Sequence, residues 1–327
     1  MKENLKERIV DIIRDDLERI EAALKRNLDA RLDLVNDIAG HLLFSGGKRL
    51  RPLLAVTSAR MCGYSNEFSI DFSTIFEYLH AATLLHDDVV DGADMRRGKQ
   101  AAHSKWQAPQ VVLTGDFLLA RSLKIASGTE LPEIIHVISR ITEAMSQGEI
   151  DQLDKKGRLD LSEDEYMDII NRKTAVLIQG ACQSGAILAG ASDDRKKALS
   201  DYGFHLGMAF QMADDLLDYT ADAETLGKNP GADLREGKLT LPLIRALSCA
   251  DADDRREMET MIRMDAFDKD IFTNLVSMLD RYGGIEYTGK KALAHVNSAK
   301  EAIEIFENSG QKKLLAMLAD YAVERKV

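Results

Sequence analysis

Two short acidic runs lie where a folded chain tolerates them poorly. In His86-Asp87-Asp88-Val89-Val90-Asp91, three carboxylates follow Leu84-Leu85 and enclose two valines, and no lysine or arginine occurs until Arg96. In Asp214-Asp215-Leu216-Leu217-Asp218 the same spacing recurs, again with apolar residues in the gap. On a helix, positions i, i+1 and i+4 gather within an arc of about 100°. Carboxylates on one apolar face are costly unless something neutralises them. Magnesium does so when it is held by a few carboxylates together with substrate phosphates. Two such runs predict a site built between two helices, and no other feature constrains the fold as much.

The rest of the chain agrees with a helical scaffold. Only five prolines occur in 327 residues, and long stretches carry neither proline nor paired glycine. The length suffices for one large domain or two ordinary ones. A net charge of −11 argues against nucleic acid as the main partner. No apolar run approaches the roughly 18 residues of a membrane span. Met1-Lys2-Glu3-Asn4 lacks the apolar core of a signal peptide, and Cys62, Cys182 and Cys249 are too scattered for a disulfide framework or a zinc site. The expected location is the cytoplasm.

Leu5, Ile9, Ile12, Ile13, Leu17, Ile20 and Leu24 mark an amphipathic helix, with Asp15-Asp16 on its solvated face. A second helix stops at Ser45-Gly46-Gly47. Lys48-Arg49-Leu50-Arg51-Pro52 follows, a turn that delivers three cations and suits a diphosphate through charge-assisted bonds. Helices from Pro52 to Met61 and from Phe72 to Asp91 are apolar on nearly every side and read as buried. After Asp91, a turn points Arg96-Arg97 back towards the carboxylates. Helices are expected around Val111–Ala126 and Leu131–Leu153, and from Ser162 through Lys173-Thr174. Small residues at Gly180, Gly185 and Gly190 suit close helix approach. The second acidic helix is expected from Asp201 to Tyr219, followed by a loop with Gly227-Lys228 and Gly237-Lys238. Ala292, Val296, Ala299, Ile303 and Phe306 form a helical stripe. Residues 1–327 read as a single all-α domain.

Other acidic pairs serve as controls. Asp253-Asp254-Arg255-Arg256-Glu257 and Asp193-Asp194-Arg195-Lys196-Lys197 carry their own cations and read as salt-bridged surface turns. Two competing metal readings stand beside the magnesium one. Glu77-x-x-His80 and Glu133-x-x-His136 have the spacing of di-iron carboxylate bundles, and His86-Asp87 has that of a metal-dependent phosphohydrolase. The first leaves the paired aspartate runs and the basic loops unexplained. The second does not explain why the acidic run appears twice.

Over nearly its whole length the chain resembles the trans-isoprenyl diphosphate synthases, or polyprenyl synthetases. Gly46-Gly47-Lys48-Arg49-Leu50-Arg51-Pro52 is similar to the family's isopentenyl diphosphate motif. Asp87-Asp88-Val89-Val90-Asp91 with Arg96-Arg97-Gly98 is similar to its first aspartate-rich motif, and Phe210 through Asp218 to its second. Lys173-Thr174, Gly227-Lys228 and Gly237-Lys238 complete the pattern in order. The resemblance implies a large helical bundle around a central cavity, of isoprenoid synthase type. It implies Mg²⁺ ligation by Asp87, Asp91 and Asp214, assisted by Asp88, Asp215 and Asp218. It assigns Lys48, Arg51, His80 and Arg97 to isopentenyl diphosphate. Arg96, Lys173, Gln211, Lys228 and Lys238 fall to the allylic substrate, farnesyl or geranyl diphosphate. Oxygens of Thr174 and Gln211 would stabilise the allylic cation.

The resemblance also implies a homodimer. In this family the residue five before the first aspartate limits the tail pocket; here it is Ala82, preceded by Ala81, with Tyr78 one turn deeper as a candidate floor. The spelling around the first motif is most similar to long-chain, octaprenyl-type members, whose product is a precursor of a membrane lipid, the side chain of a quinone. A shorter-chain synthase or a terpene cyclase remains an alternative. The ending Arg325-Lys326-Val327 only loosely resembles the basic tail of short-chain members.

Overall fold

The computed structural model describes residues 4–92, 95–96, 99–220, 231–264 and 268–324. Helices α1 (Leu5–Leu28), α2 (Asp33–Leu43), α3 (Leu50–Met61) and α4 (Phe68–Asp91) come first. A two-residue hairpin, β1 (Met95–Arg96) with β2 (Lys99–Gln100), stands where the sequence suggested only a turn. Then come α5 (Ala102–Lys105), α6 (Ala108–Ser127), α7 (Pro132–Asp154) and α8 (Glu163–Ile170), a π-helical segment (Asn171–Ala175), α9 (Val176–Leu188) and α10 (Asp193–Thr220). The series closes with α11 (Ala232–Arg235), α12 (Leu241–Cys249), α13 (Ala252–Ile262), α14 (Lys269–Arg281), α15 (Gly284–Ala302) and α16 (Gly310–Glu324). The fold is all-α. Among the described residues no helix is long and apolar enough to cross a membrane.

The chain divides into two compact units. The first comprises Met1–Thr142, Leu177–Gly203 and Ala302–Leu318; the second comprises Glu143–Val176, Phe204–Glu301 and Ala319–Val327. In the first, α4 is wrapped by α1, α3 and α6. Its Phe72, Ile75, Phe76, Tyr78, Leu79, Ala81, Ala82 and Leu85 are all buried, which is why its sequence shows little polar stripe. Helix α1 buries Ile9, Ile13, Ile20 and Leu24 as its period requires, but Ile12 stays 56% exposed. The expected solvated face of α1 also needs correction. Arg60 on α3 grips Asp16 through both carboxylate oxygens, at 2.6 and 2.8 Å, and so ties the two helices together. Gly180 and Gly185 do mark close approach: a Cβ would lie 2.1 Å from Ile141 and 2.4 Å from the Ala55 carbonyl, respectively. Gly190 instead lies beyond the end of α9.

The second unit has its own apolar core, built from Tyr166, Ile169, Ile170, Met208, Met212, Leu243, Met258 and Leu275. Ser162 caps α8 in a reciprocal box with Glu165, so the expected start is the observed one. The two acidic controls are salt-bridged, yet they are helix starts rather than turns. Asp193-Asp194 opens α10, eight residues earlier than expected. Asp251 caps α13 by accepting the N–H groups of Asp253 and Asp254, both at 3.0 Å. Acidic side chains favour the positive end of a helix dipole, which accounts for both. The stripe Ala292, Val296, Ala299, Ile303 and Phe306 is buried throughout, although α15 ends at Ala302.

Candidate active site

In the first unit the acidic run forms the last turns of α4. Gly92 stops the helix in the left-handed conformation (φ +63°), with its N–H on the Asp88 carbonyl. Asp88 is buried, Asp87 and Asp91 are partly exposed, and Val90 is 56% exposed, so the apolar wall read from the sequence is open on that side. The His86 ring sits against α6, in the space left by Gly115, and its Nε2–H donates to the Val112 carbonyl at 3.0 Å. The Asp116 carboxylate lies 3.5 Å from the same nitrogen, so the ring is held against α6 on that side.

The basic loop departs from the reading of three delivered cations. Lys48 is exposed and Arg51 is half-buried, but Arg49 is 3% exposed and turned inwards. Its Nη1 donates to Glu77 at 2.7 Å. Glu77 is therefore engaged, and Glu133 bonds Lys196 at 2.7 Å, which leaves the di-iron reading without its two carboxylates. His80 lies half-buried on α4. Arg96 is on β1, in register with Lys99. Arg97, Gly98, Gly227, Lys228 and the closing Arg325-Lys326-Val327 lie outside the described residues.

The second unit holds a cavity of about 110 Å³ whose lining includes Lys173, Thr174, Gln211, Asp215 and Lys238, but not Asp214 or Asp218. Lys173 and Thr174 sit on the π-helical segment, whose widened turn is common at functional sites. Two glycines make room for it. A Cβ on Gly148 would lie 2.9 Å from Arg172 Cβ, and one on Gly207 would lie 2.5 Å from Ala175 Cα. The Lys173 ammonium contacts Glu149 and donates to Gln152 at 2.6 Å. The Thr174 hydroxyl donates to Gln211 at 2.8 Å, and the Gln211 amide donates to Asp215 at 2.8 Å. The Tyr166 hydroxyl donates to the other Asp215 oxygen at 2.5 Å.

On α10, Gln211, Asp214, Asp215 and Asp218 share one face by their spacing. Burial, and then the neighbouring Asp233 carboxylate, push the Asp215 carboxyl up to about 7. Asp218 is fully buried and accepts from the N–H groups of Ala232 and Asp233, at 3.2 and 3.0 Å, which anchors α11. Lys238 lines the cavity and contacts Glu236 at 2.5 Å.

The donor set in both runs is carboxylate oxygen alone, the chemistry of a hard divalent cation. Among the described residues no three acidic, histidine or cysteine side chains close around an ion by themselves. Magnesium does not require that, because it keeps waters and takes substrate phosphates as ligands. The residues present fit such an ion.

The polyprenyl synthetase family matches residues 32–279, a span that includes both acidic runs, the basic loop and the Lys-Thr pair. The chain belongs to this family. The octaprenyl diphosphate synthase of Escherichia coli (strain K12) is 36% identical over 319 residues, covering 98% of each chain. A geranylgeranyl diphosphate synthase of Methanosarcina mazei is 33% identical over 329 residues, covering 97% of this chain and 98% of its own. Among solved structures, a polyprenyl synthase from Caulobacter crescentus CB15, complexed with calcium and isoprenyl diphosphate, is 37% identical. It superposes with a TM-score of 0.92 over 100% of this chain and 99% of its own. The chain is thus a trans-prenyltransferase with the all-α fold of the polyprenyl synthetases.

Among the lining residues that sequence reasoning missed are Tyr166, Lys155, Lys156, Gln152 and Asp233. Only the tertiary fold brings Tyr166 to Asp215, across 49 residues.

Proposed function

We propose that the enzyme adds isopentenyl diphosphate head-to-tail to farnesyl or geranyl diphosphate and makes a long, octaprenyl-type all-trans product. The alanine pair below the first acidic run carries this reading. Ala81 and Ala82 are 3% and 5% exposed, and each turns only a methyl group to the interior, where an aromatic ring would reach further and block a growing tail. Relatives that make longer and shorter products are similarly distant, so the alanines weigh more than the identities. Tyr78 favours the second reading, a shorter product. It lies one turn deeper, fully buried, with its hydroxyl fixed on the Leu24 carbonyl at 2.6 Å.

In this reading Lys48, Arg51, His80 and Arg97 hold isopentenyl diphosphate. Arg96, Lys173, Gln211, Lys228 and Lys238 hold the allylic diphosphate. Asp87, Asp91 and Asp214, with Asp88, Asp215 and Asp218 assisting, would hold Mg²⁺, which would supply positive charge against the negative charge that grows on the leaving diphosphate. The protein's cations add to that stabilisation as the allylic C–O bond breaks. The Thr174 and Gln211 oxygens face the resulting carbocation, and apolar walls exclude water until the double bond of isopentenyl diphosphate attacks. The new C–C bond forms, and the departing diphosphate takes the proton. Residues 1–327 act as one synthetase domain, a view supported by a family match that runs through both units. Exposed Leu113 and Leu123 on α6 support a homodimer, and three free cysteines support a reducing cytoplasm.

The test is incorporation of labelled isopentenyl diphosphate with and without Mg²⁺, in the wild type and in Asp87→Ala and Asp214→Ala. Each variant should lose about a thousandfold or more in kcat, the scale of removing transition-state charge stabilisation, while melting near the wild-type temperature. Full turnover in either variant, or in the absence of any divalent cation, would contradict the metal assignment.

A further inference from the structure

We propose that Arg49 is a positioning residue for the isopentenyl diphosphate subsite, acting through a charge cluster with buried Glu77 and partly exposed Glu21. The proposal rests on the assignment of Lys48 and Arg51 to that diphosphate. The sequence presents Lys48, Arg49 and Arg51 alike, but the structure separates them. The Arg49 guanidinium is buried, and it donates to three different elements: Nε to Glu21 on α1 at 2.6 Å, Nη1 to Glu77 on α4 at 2.7 Å, and Nη2 to the Leu43 carbonyl at the end of α2 at 2.5 Å. Burial alone would lower its pKa, yet the two carboxylates hold it above the ordinary arginine value, so it stays charged. A cation so fully engaged is not offered to a substrate.

The backbone explains what the cluster does. Arg49 adopts φ +48°, in the left-handed region that a side-chain-bearing residue seldom enters. Such a conformation persists when its surroundings over-determine it, and here three hydrogen bonds from one planar group do so. With Arg49 fixed, the residue before it and the residue two after it are fixed as well. Lys48 stays exposed and Arg51 half-buried. The anchor Glu77 lies on the same helix as Asp87, ten residues earlier, or about 15 Å along α4. The cluster therefore sets the height of the basic loop relative to the acidic end of that helix. Lysine cannot replace this arginine, because a single ammonium lacks the planar fork that reaches three acceptors at once.

The experiment uses the purified full chain, with isopentenyl and allylic diphosphates varied separately and melting followed in parallel. The variants are Arg49→Lys, Arg49→Met, Glu77→Gln and the double variant Arg49→Met/Glu77→Met, with Lys48→Ala as the subsite control. The double variant removes both buried charges together and should recover much of the melting temperature that Arg49→Met alone loses. If Arg49 positions the loop, KM for isopentenyl diphosphate stays raised about tenfold or more in the double variant and in Arg49→Lys, while KM for the allylic substrate stays within about twofold. If the cluster only stabilises the fold, KM returns to the wild-type value together with the melting temperature, and the proposal is overturned. Should the double variant not fold, Glu77→Gln decides: a raised isopentenyl KM alone supports the proposal, and an unchanged one overturns it. An unchanged KM in Lys48→Ala overturns the subsite assignment and the Arg49 role with it. A raised KM there, beside a normal double variant, overturns the Arg49 role alone.

Discussion

Gly207→Ala tests whether the site depends on the seating of the π-helical segment. In an open helix this change would stabilise by about 1 kcal/mol, since alanine is the better helix former. Here the new methyl would lie 2.5 Å from Ala175 Cα and 2.8 Å from Ala175 Cβ, against ordinary contacts of 3.4–4 Å. The obstacle is backbone, which cannot rotate away, so α10 and the segment must part by nearly 1 Å. Overpacking of this kind costs about 1–3 kcal/mol, and contact between two backbones places it towards the upper end. The net effect is a loss of about 1–2 kcal/mol, or a fall in Tm of roughly 1.5–3 °C for a chain of this length. Gln211 lies one turn further along α10, and Thr174 adjoins Ala175, so the 2.8 Å bond between them should stretch. A displacement of that size predicts a loss of about 10- to 100-fold in kcat. Circular-dichroism melts and initial rates check both numbers. A Tm equal to or above the wild-type value would show that α10 already has room for the methyl, contrary to the predicted clash with Ala175.

Three further outcomes follow from particular contacts. Tyr166→Phe removes the hydroxyl that bonds buried Asp215 and should destabilise by about 1.5–3 kcal/mol, the range for hydrogen bonds to charged groups, as read by urea unfolding. His295 is held at about 4, chiefly by burial and then by His205 and Lys291, so between about pH 6.5 and 4 the unfolded chain binds a proton that the folded chain does not. Its contribution to stability is complete above pH 6.5 and is lost as the pH falls towards 4. With solvent screening of a partly exposed ring allowed for, this amounts to about 1–2 kcal/mol that His295→Asn should abolish in unfolding curves at pH 7 and 5. Ala82→Phe should shorten the product while leaving diphosphate release intact, and an unchanged product length would contradict the role given to the alanines.

The sequence made the helices legible because their apolar residues recur at helical period. It exposed the two acidic runs because unpaired carboxylates in apolar surroundings have few structural uses. What it hid depends on residues far apart in the chain. Lys48 and Arg49 are adjacent cations with no local difference, and only Glu21 and Glu77, each 28 residues away, turn one of them inwards. The π-helical seat of Lys173-Thr174 is shaped by Gly148 and Gly207, more than twenty residues to either side. Asp16 looked solvated because its partner, Arg60, lies on a different helix. Val90 looked buried because its neighbours in sequence are apolar, but one side of the helix end is open.

The most direct test of the account is the size of the product. The purified chain is incubated with Mg²⁺, labelled isopentenyl diphosphate and geranyl, farnesyl or geranylgeranyl diphosphate, and the dephosphorylated products are resolved by length. All-trans chains of about eight isoprene units are expected, as small residues at Ala81 and Ala82 allow. Products that stop at three or four units would contradict that expectation and would place the floor of the tunnel at Tyr78.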